Sequence, residues 1–150
     1  MTTLFARMAL LPQGWGRDVR LRLSGGVIDD VETGAAPQPG DELHGILIAG
    51  MPNLHSHAFQ RGMAGLAEVR GPGEDSFWSW RETMYRFALT MLPEELEAVA
   101  AQLYVEMLEA GFTRVGEFHY LHHGLDGSEY ADIGEMSARI GAAAEASGIG

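Results

Sequence analysis

The stretch Met51-Pro52-Asn53-Leu54-His55-Ser56-His57-Ala58-Phe59-Gln60-Arg61-Gly62 governs how the rest of the chain is read, because two histidines stand two residues apart inside it. It follows the apolar run Gly45-Ile46-Leu47-Ile48-Ala49, whose composition reads as a buried strand that runs out near the histidines. In a strand, residues i and i+2 project to the same side, so His55 and His57 can converge on one point while Ser56 faces away. Neutral imidazole is a common ligand for zinc and similar divalent ions, which take three or four protein ligands from different directions. Two ligands do not make a site, and a bare His-X-His also occurs as two surface or core histidines. The position after an apolar run and a Pro-Asn turn puts the metal reading level with that alternative.

Working outward from the histidines, the chain from Gly45 alternates strand and helix. A glycine-punctuated loop from Gly62 to Gly73 leads to Asp75 or Ser76, either of which can cap a helix whose apolar residues are Phe77, Trp80, Met84, Phe87 and Met91. Pro93 with Glu94 and Glu95 starts a second helix, since proline is tolerated in the first turn and acids favour the positive end of the helix dipole. Leu96, Val99, Ala100, Leu103, Tyr104, Met107 and Leu108 line one face of it, and Gly111 is placed to cap its end. Thr113 to Tyr120 reads as the second core strand. A last helix carries Ile133, Met136, Ile140 and Ala144 and reaches Gly148 as a cap.

Upstream, residues 1 to 44 read as a small all-β piece. Leu4 to Leu11 is a first strand, Val19-Arg20-Leu21-Arg22-Leu23 alternates apolar and charged, and Ser24-Gly25-Gly26 turns the chain into Val27 to Val31 as a hairpin. The expected division is therefore 1–44 and 45–150. Two strand-and-helix units imply parallel strands with helical crossovers, yet cannot close a barrel, so the expectation is the N-terminal part of a longer protein.

Composition limits the function. The 150 residues are 46% hydrophobic and 21% charged, the profile of a globular domain. The formal charge is −11, and all ten basic residues are arginine, a balance that argues against nucleic acid and anionic membranes as partners. Local arginines can still bind an anionic small substrate, because screening confines distant charges to about 8 Å. Without cysteine, any metal must be held by His, Asp or Glu. No apolar stretch approaches the roughly 20 residues that span a bilayer, and no signal peptide is read, which makes the cytoplasm the default location.

Three segments together carry a resemblance: His55-Ser56-His57-Ala58-Phe59-Gln60-Arg61-Gly62, Phe77-Trp78-Ser79-Trp80-Arg81-Glu82-Thr83-Met84-Tyr85, and Gly116-Glu117-Phe118-His119-Tyr120-Leu121-His122-His123. With the β-rich start they resemble the formimidoylglutamate deiminases of the amidohydrolase superfamily, over about the first third of such an enzyme. The resemblance implies an α/β fold: a small β-sandwich piece followed by the first two βα units of a (β/α)8 TIM barrel. It implies hydrolysis of N-formimidoyl-L-glutamate to N-formyl-L-glutamate and ammonia in histidine degradation, and usually a homodimer at full length. His55 and His57 correspond to two ligands of one divalent metal ion, most simply zinc. The remaining ligands and the groups that move protons are expected on later strands. Gln60, Arg81 and Tyr120 fall on positions like the family's substrate-binding side chains.

Each of these residues also has a plainer reading. Arg81 can be a solvated helix residue, Tyr120 can pack its ring and wet its hydroxyl, and Trp78 and Trp80 can be packing residues. His119, His122 and His123 are read as loop residues, since adjacent histidines on a strand point apart. Two other functions stand beside the leading one. A deaminase of heterocyclic amines would favour a less cationic pocket than the group Arg61, Arg81 and Arg86 offers. A non-catalytic truncated domain would use its exposed edges for association.

Overall fold

The computed structural model describes residues 1–67 and 76–150. It divides into two compact units, Met1–Ala49 and Gly50–Gly150.

The first unit is one mixed four-stranded sheet of β1 (Thr2–Leu11), β2 (Gly14–Ser24), β3 (Val27–Glu32) and β4 (Glu42–Leu47), in the order β3-β2-β1-β4. β1, β2 and β3 form an antiparallel meander, whereas β4 runs parallel to β1. The β2–β3 turn needs two residues of positive φ, and Gly25 and Gly26 supply them at 58° and 79°. Alternation along β2 sends Val19 and Leu21 into a cluster with Ala9. Arg20, from the opposite set, makes a bidentate ion pair with Asp41 at 2.8 and 2.9 Å, and Asp41 also accepts the Gln38 N–H.

Here the structure departs from the sequence reading. Gly45–Leu47 belongs to β4, with His44 opposite Ala6 and Ile46 opposite Met8, and does not lead into the histidines. Nor is the run buried as read, for Ile46 is 64% exposed: the edge of β1 offers it a ladder, and pairing is satisfied without burial.

The second unit begins with β5 (Met51–Ser56), which itself carries the histidine segment, and a short 3-10 helix over Ala58–Met63. Then come α1 (Phe77–Ala88), α2 (Pro93–Glu109), β6 (Phe112–Glu117) and α3 (Glu135–Ser147); β5 and β6 pair in parallel. The chain as a whole is thus α/β. A side chain at Gly50 would collide with Thr113, so glycine there lets the two strands start side by side.

Ser76 caps α1 through a reciprocal pair with Ser79, while Asp75, the other candidate, lies outside the described residues, as does most of the loop before it. α1 ends at Ala88, so Met91 lies beyond it, although still buried. Pro93 opens α2, the Glu95 carboxylate accepts the Leu92 N–H at 2.8 Å, and Gly111 follows the helix with φ 91°. β6 stops at Glu117, three residues short of the reading to Tyr120. α3 starts at Glu135, which leaves Ile133 outside it and 78% exposed, because Asp132 accepts the Gly134 N–H and turns the chain first. No helix among the described residues is long and apolar enough to cross a membrane.

The core of this unit explains where the histidines are held. Leu96, Ala100, Tyr104 and Met107 recur on one face of α2. Leu96 packs with Phe59, Met63, Met84 and Met136, while Ala100, Tyr104 and Met107 pack with Ala58, Ala143 and Ile149. Ala58 and Phe59, the two residues after His57, are therefore each sunk into a different half of the core. That anchors the end of β5.

Candidate functional site

The ladder of β5 with β6 shifts register between Asn53 and Ser56, and strict alternation is lost there, Leu54 and His55 both being exposed. Ser56 is buried, His55 is exposed and His57 is partly covered. The two Nε2 atoms lie 2.9 Å apart with the rings edge to face. His57 Nδ1 is 2.8 Å from the Phe118 carbonyl oxygen. A carbonyl only accepts, so Nδ1 carries the proton and the Nε2 lone pair of neutral His57 points at His55. The backbone N–H of His55 is in turn taken by Asn53 Oδ1 at 3.1 Å.

This donor set fits a divalent metal ion as far as it goes. Two imidazole nitrogens on one zinc with bonds of about 2.0 Å sit roughly 3.3 Å apart at a tetrahedral angle, a small ring adjustment from the observed 2.9 Å. The ring nitrogen of His57 that faces away from His55 is fixed by a backbone carbonyl, the usual partner arrangement for a metal-ligating histidine. Among the described residues no group of three or more His, Cys, Asp or Glu side chains is placed to hold a metal ion, so the pair by itself falls short of a metal site.

Tyr120 is brought against the histidines. Its ring meets that of His57 with centroids 4.7 Å apart, and it also touches Phe59 and Phe118. Its φ is 61°, a conformation that a bulky residue adopts only when the surroundings hold it, and here three rings do so. Tyr120 lines a cavity of about 300 Å³ with Phe59, Met84, Tyr85, His122 and Met136 among its walls. Gln60 reaches one wall, its Nε2 lying 3.4 Å from Met84 Sδ.

Arg81 is tied to another wall. Its guanidinium donates to the Tyr85 hydroxyl at 3.3 Å and lies over the rings of Tyr85 and Trp78, at 5.1 and 5.7 Å from their centroids. Among the described residues it forms no ion pair. Arg61 is different: it grips Glu106 of α2 through two hydrogen bonds of 2.8 Å. This pair removes Arg61 from the cationic group that the sequence reading set beside Arg81. Trp78 is exposed and serves as the floor for Arg81, while Trp80 packs partly against the core.

The loop histidines are not scattered. His119 and His122 meet edge to face at 4.7 Å, and His119 Nε2 lies 3.3 Å from Ser137 Oγ on α3. Burial, and next the neighbouring His122, hold the His119 imidazole below its ordinary value, with Glu117 pulling the other way.

Sequence reasoning gave no role to Glu117. Its Oε1 accepts the Ala58 N–H at 2.7 Å, while, among the described residues, Oε2 and Ser56 Oγ are buried without a hydrogen-bond partner. Burial, then the Glu117 carboxylate, push the Tyr104 phenol far above its usual value and keep it neutral. One signal was available: Glu117 is two residues after Val115, so on a strand it shares Val115's inward face.

Comparison with known proteins bears on this site. Residues 1–45 match the model for the N-terminal domain of formimidoylglutamate deiminase HutF. The whole chain is 56% identical to the formimidoylglutamate deiminase of Pseudomonas aeruginosa, of which it covers 33%. A crystal structure of an amidohydrolase from Brucella melitensis superposes with a TM-score of 0.95 at 63% identity, over 99% of this chain and 33% of that one. Mutant atrazine chlorohydrolase TrzN from Arthrobacter aurescens TC1, complexed with zinc and atraton, has the same fold at 19% identity, with a TM-score of 0.70 over 99% of this chain and 34% of that one. Along its entire length, then, the chain resembles formimidoylglutamate deiminase, a hydrolase, and spans about one third of the length of such relatives.

Proposed function

We propose that this chain is the N-terminal segment of a metal-dependent deiminase that hydrolyses N-formimidoyl-L-glutamate to N-formyl-L-glutamate and ammonia, a step of histidine degradation. The observation that carries the reading is the 56% identity to a formimidoylglutamate deiminase over a span that includes every residue of the site. On this reading the second unit contributes the first two βα units of a (β/α)8 barrel, and the first unit is part of a small β-sandwich. A cytoplasmic location and a homodimer at full length go with it.

His55 and His57 would hold one divalent metal ion, zinc for preference, with further ligands from outside these 150 residues. When bound, the metal supplies Lewis acidity that makes water a nucleophile near neutral pH. The chain's own residues then have binding work to do. Arg81, which forms no ion pair among the described residues, offers a planar fork to a substrate carboxylate, and its stacking on Tyr85 and Trp78 limits the conformations it must lose on binding. Tyr120, whose ring lies against His57, brings a hydroxyl to the cavity it lines, and Gln60 brings a neutral amide against Met84 of the same cavity.

The pairing of Arg61 with Glu106 favours a second reading, action on a heterocyclic amine, since it withdraws one of the three arginines that spoke against it. Ammonia release from formimidoylglutamate, guanine and adenosine by the full-length gene product, before and after chelation, separates the two. Turnover of formimidoylglutamate that chelation abolishes and metal restores is the expected result. Turnover confined to a heterocycle would replace the deiminase assignment.

A further inference from the structure

Three consecutive residues at the end of β5 are held by two consecutive residues at the end of β6. The Phe118 N–H donates to the Ser56 carbonyl at 2.9 Å, the Phe118 carbonyl accepts from the His57 ring at 2.8 Å, and Glu117 Oε1 accepts from the Ala58 N–H at 2.7 Å. The ladder, whose register shifts between Asn53 and Ser56, ends at the Ser56–Glu117 pair, and His57 leaves extended geometry with ψ 79°. Past that point backbone pairing has no partner for Ala58, and a carboxylate side chain takes its place.

We propose that Glu117 is a positioning residue for the metal ligand His57. It fixes the amide directly after His57 while the next residue's carbonyl fixes the ring, so that backbone and ring are both set from β6. The inference rests on His55 and His57 being metal ligands.

A polar side chain at this partly buried position is the argument for a role. Among the described residues Glu117 Oε2 and Ser56 Oγ are buried without hydrogen-bond partners, and the Glu117 carboxyl faces the Tyr104 phenol, so the side chain gives up hydration that it recovers only in part. An apolar residue would pack beside Tyr104 and Ala58 at lower cost. What it could not do is accept the Ala58 N–H with a side-chain oxygen reaching from the adjacent strand.

The test uses the full-length gene product and three substitutions. Glu117→Gln keeps an oxygen at the same reach, Glu117→Asp keeps the charge but withdraws it by one methylene, and Glu117→Ala removes both. Zinc affinity is measured by chelator competition, and the ligand field by the visible spectrum of the cobalt-loaded protein, alongside thermal melting as a check on folding. Glu117→Gln should bind zinc within about threefold of the parent with an unchanged cobalt spectrum. Glu117→Asp and Glu117→Ala should bind roughly ten- to a hundredfold more weakly, with a shifted spectrum. Parent-like affinity and spectrum in folded Glu117→Asp or Glu117→Ala would overturn the proposal, and so would an equal loss in Glu117→Gln, which would make charge and not reach the determinant. A His57→Ala control keeps the two ideas apart: if it leaves zinc binding intact, the metal reading itself fails.

Discussion

At the scale of single residues, the site is built from side chains whose freedom has been removed by unlike means. His57 is fixed by a carbonyl, Arg81 by two aromatic faces, and Tyr120 by three rings that hold it at positive φ. Arg81→Lys would keep the charge and lose the fork. A charged hydrogen bond is worth about 1.5–3 kcal/mol, so KM for formimidoylglutamate should rise roughly ten- to a hundredfold in the full-length enzyme. Steady-state kinetics at matched metal content measure this, and unchanged constants would remove Arg81 from the substrate site. Tyr120→Phe keeps every ring contact, so the melting temperature should hold while KM rises; a fall in melting temperature with unaltered KM would mark the hydroxyl as structural.

At the scale of elements, the histidine-bearing turn is secured from two sides. Ala58 and Phe59 enter the two core clusters, and Arg61 ties the same 3-10 helix to α2 through Glu106. The Glu106 carboxyl is held at about 2, below its usual 4.5, by Arg61 first and Gln102 next. A carboxylate with a depressed folded-state value contributes stability that is fully present above its unfolded value and is lost as the pH falls from 4.5 toward 2. Exposure to solvent keeps that contribution small. Arg61→Ala should therefore lower the urea midpoint at about pH 6 and differ less from the parent at about pH 3. A gap of equal size at both pH values would place the effect in packing and not in the ion pair.

At the scale of the whole molecule, the 150 residues bring together two imidazoles and, beside Tyr120, an aromatic-lined cavity. Among the described residues no third acid or histidine joins them at a common metal point, and the relatives matched are about three times as long. β5 and β6 form only a two-stranded sheet, on which Leu54 is 82% exposed and Phe118, just after it, is 52% exposed. Apolar surface of that kind invites association. Residues 1–150 produced alone should release no ammonia from formimidoylglutamate, bind zinc much more weakly than the full-length protein, and run as aggregates or oligomers in size-exclusion chromatography. A soluble monomer with comparable turnover would refute the division of the site between this segment and the rest of the protein.

Much of this was legible in the residues themselves because it depends on neighbours in the chain. The Gly25-Gly26 turn, the Pro93 start of α2, the Gly111 and Gly148 ends, and the shared direction of His55 and His57 are all local consequences of backbone geometry. Tertiary structure alone decided which partners were chosen. The run Gly45–Leu47 could pair with any free edge and took that of β1; Arg61 could have faced a substrate and instead met Glu106, forty-five residues away. Glu117 reads as an ordinary strand-end acid until β6 lies beside β5 and the Ala58 amide arrives at its carboxylate. Local preference fixes a residue's direction within its own element, whereas its partner depends on which elements the core brings together.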